Sequence, residues 1–117
     1  MQLNEISYKD ARPIDGYGLG FFRIGGEVFS GPQIITASSV LPWGGLEDTD
    51  APLALSSEID VLLVGTGEHM AYLPPEFRNA LEKTGIGLEP MPTASACRTF
   101  NVLLAEGRRV AAALLPV

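Results

Sequence analysis

The sequence has one cysteine, one histidine and no long apolar run among its 117 residues. A single cysteine, Cys97, excludes an internal disulfide and a metal site built from several thiolates. The longest apolar run, residues 110–117, is only eight residues long and cannot cross a bilayer. The opening residues lack the basic and apolar segments of a signal peptide. These absences favour a cytoplasmic protein without membrane insertion.

Basic residues are also scarce, and the acidic residues are unevenly placed. Eight Lys and Arg stand against fourteen Asp and Glu, which gives a net charge of −6. Residues 1–60 carry nine acids and three bases, whereas residues 61–117 carry five of each. An acidic half repels phosphate backbones, so we do not expect a nucleic-acid partner. The single basic pair, Arg108 and Arg109, is too small for a membrane-binding patch.

What the sequence does contain is core material for one domain. Apolar residues make up 46% of the chain and charged residues 19%, and the length is close to the commonest domain size. Residues 46–55 are acidic and turn-like, which predicts a surface loop too short to link two domains. We therefore predict a single domain over residues 1–117, with residues 1–45 mainly β and residues 59–117 mixed.

Residues 1–45 predict short antiparallel strands separated by glycine turns. Two aromatic runs flank Gly25 and Gly26, and this pattern is typical of a hairpin. Residues 3–8 form a further possible strand. We expect these strands to extend an edge of a parallel sheet or to cover it as a hairpin.

The second half predicts a parallel sheet. Residues 59–64 are almost all Val, Leu or Ile and run into the sequence Gly65, Thr66, Gly67, which is how a buried parallel strand ends. Two more strand-like runs follow at residues 86–91 and 110–115.

Two helix-like runs separate these strands. The first is predicted to begin at Pro74 and Pro75 and to end at Gly85; the second to begin at Thr93, as N-cap, and to end at Gly107. Short connections between the five runs imply a βαβαβ unit with right-handed crossovers. The predicted fold class is α/β, a three-layer domain with a C-terminal parallel unit and N-terminal antiparallel strands.

Ligands of open parallel sheets gather outside the carboxyl ends of the strands. Two predicted loops leave that edge, one with glycine N–H groups and one with a helix N-terminus, hydroxyls and an arginine within reach. The sequence therefore predicts a small-anion site at this edge. Its candidate residues are Gly65, Thr66, Gly67, Thr93, Ser95 and Arg98.

An alternative is that the glycines simply end a strand. The dinucleotide-binding fingerprint needs a small residue where Met70 stands, and no Walker lysine is present. His69 lies beside Glu68, and the pair suits either acid–base work or a solvated loop. No second His or Cys completes a metal shell. We accordingly predict no catalytic residue, no metal and no cofactor.

Other residues also allow two interpretations. Cys97 is either a thiol activated by the helix N-terminus and Arg98 or a small buried hydrophobe, and the second is favoured. Asp60, in an apolar strand, is expected to pair with Arg108 or Arg109.

The aromatic residues Trp43 and Tyr72 are candidate interaction residues. For Trp43, a place over the core is the favoured alternative.

Three segments carry a family resemblance: residues 59–67, residues 93–101 and residues 106–111. With the Gly25-Gly26 hairpin and the pair Pro42-Trp43, they make the chain similar, over nearly its whole length, to a family of unknown function. That family includes the mitochondrial complex I assembly factor 3 and adipogenesis-associated proteins. The resemblance implies a compact three-layer α/β domain, no established enzymatic activity, and protein contacts during respiratory-complex assembly in the mitochondrial members. It carries over no catalytic residues, and the lack of a visible presequence favours a bacterial member.

The first functional hypothesis is a protein-interaction or assembly module whose acidic half meets a basic partner surface. The alternative is a small-anion or metabolite-binding protein, or a minor enzyme, that uses the strand-end edge at Gly65, Thr66 and Gly67.

Overall fold

The computed structural model describes residues 6–7 and 12–117. These residues contain nine strands and three helices: β1 (Ile6–Ser7), β2 (Ile14–Gly18), β3 (Phe21–Ile24), β4 (Glu27–Ser30), β5 (Gln33–Ile35), β6 (Ser39–Pro42), α1 (Asp50–Leu53), β7 (Val61–Thr66), α2 (Pro75–Glu82), β8 (Gly87–Met91), α3 (Thr93–Ala105) and β9 (Val110–Leu115). Strand β1 lies inside the strand predicted at residues 3–8, and the rest of that prediction falls outside the described residues.

The main sheet has six strands in the order β1-β6-β5-β9-β7-β8. Strand β7 pairs in parallel with β8 on one side and β9 on the other, and this confirms the predicted βαβαβ unit. Beyond β9 the sheet continues with antiparallel strands β5, β6 and β1. Strand β8 is an edge strand, which is where the missing N–H of Pro90 is tolerated.

A second sheet of three antiparallel strands, β2-β3-β4, consists of the aromatic hairpin, β3 and β4, and of β2, which pairs with β3. Gly25 and Gly26 both have positive φ, 59° and 82°, as a tight two-residue hairpin turn requires. Phe22 and Ile24 are fully buried while Arg23 between them is exposed, so β3 alternates as a half-buried strand does. The N-terminal strands thus take both expected roles, because some extend the main sheet and others cover it.

Two apolar clusters, one on each face of the main sheet, give the three layers. Helix α3 and the small sheet share one cluster, which includes Phe22, Phe100 and Ala112. Helix α2 and the segment around α1 share the other cluster, which includes Phe77 and Ala111. Successive alanines of β9 therefore point to opposite faces, and their small side chains let both outer layers approach closely.

Three details of the sequence-based prediction were wrong. The predicted loop at residues 46–55 contains helix α1, since Pro52 and Leu55 are apolar enough to be buried there. Strand β7 begins at Val61 rather than residue 59 and extends to Thr66, so Gly65 is paired within the sheet with Met91 and Leu114. The N-cap of α3 is Pro92, and no side chain caps that helix.

Helix α3 ends as predicted, at a glycine. Gly107 has φ of 75°, its N–H donates to the carbonyl of Leu104, and the N–H of Arg108 donates to the carbonyl of Leu103, both at 3.0 Å. These two bonds form a Schellman motif. The motif fixes the direction in which the chain leaves the helix and so positions Arg108 and Arg109 before β9.

Within the described residues, no helix is both long enough and apolar enough to cross a membrane.

Candidate functional site

Thr93 joins the ends of two strands to the start of helix α3. Its hydroxyl donates to the carbonyl of Leu115 at 2.6 Å and accepts from the N–H of Gly67 at 2.8 Å. Its own N–H donates to the carbonyl of Gly67 at 2.9 Å. The glycine segment and the start of the second long helix therefore meet at one edge of the sheet, as predicted. We call this edge, at the carboxyl ends of β7 and β9, the rim.

The close approach at the rim explains why residue 65 is glycine. A Cβ atom built on Gly65 would lie 2.8 Å from Thr93 Oγ1, 2.9 Å from Leu114 Cδ2 and 3.1 Å from Thr93 Cα. Real Cβ atoms do not tolerate such contacts with backbone and buried groups. The absent side chain at Gly65 therefore makes room for helix α3.

The hydroxyl of Thr66 organises the loop that follows β7. It lies 2.7 Å from the carbonyl of His69 and 3.2 Å from that of Met91, and it accepts from the N–H of Ala71 at 3.2 Å. The side chain of His69 is exposed in this loop. The polar groups of Thr66, Gly67 and Thr93 are thus engaged within the protein.

Ser95 and Arg98 are the remaining two residues of the predicted anion site. Arg98 is exposed, and its Nη2 lies 3.5 Å from Ser95 Oγ, at the limit of a hydrogen bond. Both lie in the first two turns of α3, near the N–H groups that a helix leaves without intrahelical partners. The structure brings Gly65, Thr66, Gly67 and Thr93 together at the rim; of the other two, Ser95 is half-buried and Arg98 is exposed on the first turns of α3. Anion binding there stays a prediction.

A cleft of about 300 Å³ opens at the rim. Its lining residues come from the β2–β3 turn, the end of β7, helix α3 and the C-terminal residue: Tyr17, Leu19, Gly67, Glu68, Ala94 and Val117. The N–H of Gly20 donates to the carbonyl of Val117 at 2.9 Å, which holds the turn against the end of the chain. We call this the rim cleft. Sequence reasoning missed Tyr17 and Leu19, although apolar residues among the glycines at positions 16–20 were an available signal.

Exposed apolar side chains surround this end of the sheet. Leu19 is 89% exposed and Tyr72 85%, while Met70 and Tyr17 are each exposed by more than 40%. Met70 and Tyr72 belong to the connection between β7 and α2, which leaves the rim cleft at Glu68. Tyr72, a predicted interaction residue, is therefore fully available to a partner.

Trp43, the other predicted interaction residue, is instead part of the core. It is 5% exposed, its Nε1 donates to the carbonyl of Asp48 at 2.9 Å, and its ring centroid lies 6.1 Å from that of Phe77. The favoured alternative, a place over the core, agrees with this position. The indole is not offered as a surface anchor because the segment containing Asp48 and helix α2 enclose it.

Cys97 is buried, and burial raises the pKa of its thiol to about 11, although the charge of Arg98 acts in the opposite direction. The favoured interpretation of Cys97 as a small hydrophobe agrees with this environment.

The expected pairing of Asp60 is formed with Arg109, at 3.8 Å, where both side chains are exposed.

Asn101 makes a long-range contact that the sequence did not specify. It accepts from the N–H of Ile14 at 2.8 Å and donates to the carbonyl of Ile14 at 3.0 Å.

In the described residues, no three His, Cys, Asp or Glu side chains lie close enough to hold a metal ion.

Together, the fold and the rim define a class of protein: a small three-layer α/β domain with an apolar cleft at the carboxyl ends of its parallel strands. The chain belongs to the family described as "Protein of unknown function (DUF498/DUF598)", which matches residues 14–115.

Proteins similar to this chain come from bacteria and from animals. An uncharacterized protein of Rhodobacter capsulatus is 50% identical over 117 residues, which cover all of this chain and 94% of that protein. The NADH dehydrogenase [ubiquinone] 1 alpha subcomplex assembly factor 3 of Homo sapiens is 36% identical over 110 residues, which cover 88% of this chain. The chain spans only 60% of the length of that assembly factor.

Solved structures share the architecture. A Bartonella henselae protein described as an outer membrane protein has a TM-score of 0.84 at 40% identity, over 94% of this chain and 98% of that one. A Bordetella pertussis protein described as an Mth938-like domain has a TM-score of 0.75 at 29% identity, over 99% of this chain and 92% of that one. The expected family and three-layer α/β fold are thereby confirmed.

Proposed function

We propose that this chain is a protein-binding module of the assembly-factor kind, which meets its partner through the rim. The observation that carries the proposal is the gathering of exposed apolar side chains, Leu19 and Tyr72 above all, at that one end of the sheet. The relationship to proteins named as complex I assembly factors supports it. The proposal assigns no reaction to the chain and places it in the cytoplasm.

The physical basis of the proposal is the cost of leaving apolar surface in water. Single exposed apolar residues are common on monomeric proteins, but several at one end of a domain favour an interaction surface. Tyrosine is enriched among residues that contribute most to protein interfaces, because it buries a large apolar ring with few rotatable bonds. Tyr72 and Leu19 are the two most exposed large hydrophobic side chains described.

The charge of the chain indicates what kind of partner surface would fit. With a net charge of −6 and nine acids in residues 1–60, the chain would be steered towards a basic surface. Such steering weakens with salt, whereas apolar contacts at the rim do not. Binding should therefore slow at high ionic strength without being lost.

A capture experiment with matched variants tests the proposal. The full chain, a Leu19→Ser/Tyr72→Ser variant and a Val28→Ser/Val102→Ser control would be used to capture proteins from lysate of cells that naturally express the chain. Val28 and Val102 are also exposed, at 55% and 56%, but lie on β4 and on helix α3. Bound proteins would be quantified by mass spectrometry and the main one purified for direct titration.

We expect a basic partner whose capture is lost with the rim variant and retained with the control. Because the substituted side chains are exposed, both variants should fold as the parent does. Equal capture by the two variants would contradict the rim as the binding surface. No partner above background for the parent would contradict the binding role itself.

A second candidate function, binding of a small anion or metabolite at the rim, is favoured by one specific observation. Arg98 lies four residues after Ala94, which lines the rim cleft, so both lie on one face of α3. A titration with phosphate, sulfate and acetate, followed through the amide signals of Ala94 and Ser95, tests it. Binding lost with Arg98→Ala but kept with Arg23→Ala would support this candidate, and unshifted amides would exclude it.

A further inference from the structure

A second cleft lies at the opposite end of the main sheet, where the parallel strands begin. It has a volume of about 360 Å³ and is lined by the β5–β6 turn, the segment before β7, the end of α3 and the connection from α3 to β9. We call it the amino-end cleft. It shares no residue with the rim cleft, and it lies at the edge where ligands of parallel sheets are not usually expected.

The floor of the amino-end cleft is apolar and fixed. Leu55, Ile59 and Val110 are 8%, 5% and 2% exposed, and all belong to the two core clusters. Leu104, half-buried, completes the floor from the side of α3. The apolar part of a ligand would displace water from this floor, and the floor would not have to rearrange because the core already holds its side chains in position.

The two arginines at the mouth of the amino-end cleft differ in how their donors are used. Arg109 donates to the carbonyls of Ser57 at 2.8 Å and Glu58 at 3.2 Å, and it lies 3.8 Å from Asp60. Among the described residues, the guanidinium of Arg108 has no hydrogen bond or ion pair, while its backbone is held by the Schellman motif. Arg109 thus holds the segment of Ser57 and Glu58, which forms one wall of the cleft. Arg108 has a fixed backbone and presents its N–H donors to solvent.

The opposite wall also offers a polar group. Thr36 holds the β5–β6 turn closed, because its hydroxyl accepts from the N–H groups of Ser38 at 3.2 Å and Ser39 at 3.0 Å. The hydroxyl of Ser38, which lines the cleft, has no hydrogen-bond partner among the described residues.

We propose that the amino-end cleft binds a small monocarboxylate with an apolar body. The carboxylate pairs with Arg108 at the mouth, and the body lies over Leu55, Ile59 and Leu104. A guanidinium matches a carboxylate bidentately, which fixes its orientation. One uncommitted guanidinium, in a cleft that the acidic residue Glu58 also lines, suits a single negative charge better than a multiply charged phosphate. The volume of the cleft is near the lower end of those of ligand sites, which limits the ligand to a small one.

Hexanoate serves as the probe, with hexanol and acetate as comparators that each lack one half of the ligand. The labelled full chain would be titrated with each, and binding followed through the amide signals of Ser38, Gly107 and Arg108. We expect hexanoate to shift these signals and to bind at least about fivefold more tightly than either comparator, since both the charge and the apolar body contribute. Hexanol binding as tightly as hexanoate, or hexanoate shifting only the rim amides, would overturn the proposal.

Three variants and a control sharpen the test. Arg108→Ala should weaken hexanoate binding about tenfold, whereas Arg23→Ala, at an exposed position of β3, should leave it unchanged. Glu58→Gln should strengthen binding about twofold, because a like charge is removed from the mouth. Ala37→Leu should weaken it by filling the exposed mouth of the cleft. Unchanged affinity in Arg108→Ala would overturn the assignment, and because the rim is untouched by these variants, partner capture through the rim is judged separately.

Discussion

The hydroxyl of Thr93 lies 2.8 Å from the backbone nitrogen of Gly67 and connects helix α3 to the end of strand β7. The same oxygen donates to the carbonyl of Leu115 at the end of β9. Thr93 and Gly67 are both buried, so water cannot replace the hydroxyl at the N–H of Gly67. One side chain thus satisfies two backbone groups that the chain would otherwise leave unpaired at the rim.

Replacing Thr93 by valine tests this arrangement, because valine keeps the shape and removes the hydroxyl. The N–H of Gly67 would then lack a partner in a buried place, and the carbonyl of Leu115 would lose its partner in a half-buried one. We expect the free energy of unfolding to fall by about 2 to 4 kcal/mol. Urea unfolding followed by circular dichroism measures the change.

The matched control is Thr93→Ser, which keeps the oxygen and loses one methyl group. It should cost only about 1 kcal/mol, as the loss of one buried methyl group does. If the serine and valine variants were equally destabilised, packing of the methyl group rather than the two hydrogen bonds would hold the rim together.

Gly65→Ala tests the close approach of helix α3 to the sheet. The new methyl group would lie 2.8 Å from Thr93 Oγ1 and 2.9 Å from Leu114 Cδ2, so the helix must shift. We expect a loss of about 1 to 3 kcal/mol, as overpacked cores show. Urea unfolding of the parent and of Gly65→Ala measures this loss as the difference between their free energies of unfolding.

Gly87→Ala is the control, since Gly87 starts the neighbouring strand β8 and its new Cβ would meet atoms no closer than 3.6 Å. That variant should be within about 0.5 kcal/mol of the parent or slightly more stable, because alanine restricts the unfolded chain. Similar losses for both glycines would indicate a general strand effect instead of the contact with Thr93.

Local patterns were enough to predict the βαβαβ unit and the hairpin. The apolar run before Gly65 and the glycines that end each helix act within a few residues of one another. The pair Gly25 and Gly26 fixes a turn whose positive φ angles few other residues adopt. Such features depend on backbone conformation and the alternation of apolar residues, and both can be recognised in one sequence.

The parts that were missed depend on residues far apart in the chain. Thr93 was expected to cap α3, but its hydroxyl instead donates a hydrogen bond to the carbonyl of Leu115, 22 residues later. The rim cleft is lined by both Tyr17 and Ala94, which are far apart in the sequence, so no local sequence pattern predicts that they lie near each other. The sequence allowed Trp43 either a core or a surface position, and its burial depends on the segment containing Asp48, which covers it.

Asn101 offers a test of how the small sheet is attached. It makes two hydrogen bonds to the backbone of Ile14, 87 residues away in sequence, and links α3 to β2. Asn101→Ala should cost about 2 kcal/mol, roughly 1 kcal/mol for each lost bond. Hydrogen exchange should quicken at the Ile14 amide and across β2, β3 and β4, because the small sheet would open without the rest of the domain.

The adjacent Val102→Ala serves as the control for Asn101→Ala, since Val102 is 56% exposed. It should change stability by less than about 0.5 kcal/mol and leave the exchange of Ile14 unaltered. If the amides of β2 to β4 kept the parent's protection in Asn101→Ala, the apolar contacts of Phe22 and Ile24 would be sufficient to hold the small sheet.

The thiol of Cys97 should resist alkylation and make stability depend on alkaline pH. Burial raises its pKa from 9.0 to about 11, so at pH 7 only about one thiol in ten thousand is the reactive thiolate. Iodoacetamide should therefore modify the native protein far more slowly than the urea-unfolded chain. The reaction is followed by mass spectrometry at several pH values, and equal rates for native and unfolded protein would show that the thiol is accessible.

The same shift in the pKa of Cys97 sets the sign of the pH effect on stability. Below pH 9 the thiol is protonated in both states, and no penalty arises. Between pH 9 and 11 the unfolded chain releases this proton while the folded chain retains it, so the free energy of unfolding falls as pH rises, by up to about 1 kcal/mol per pH unit. Urea unfolding at pH 8 and pH 10.5 measures the loss. Cys97→Ala removes this titration but leaves those of the other groups, so its stability should fall less over the same interval, and an identical fall would mean that Cys97 titrates alike in both states.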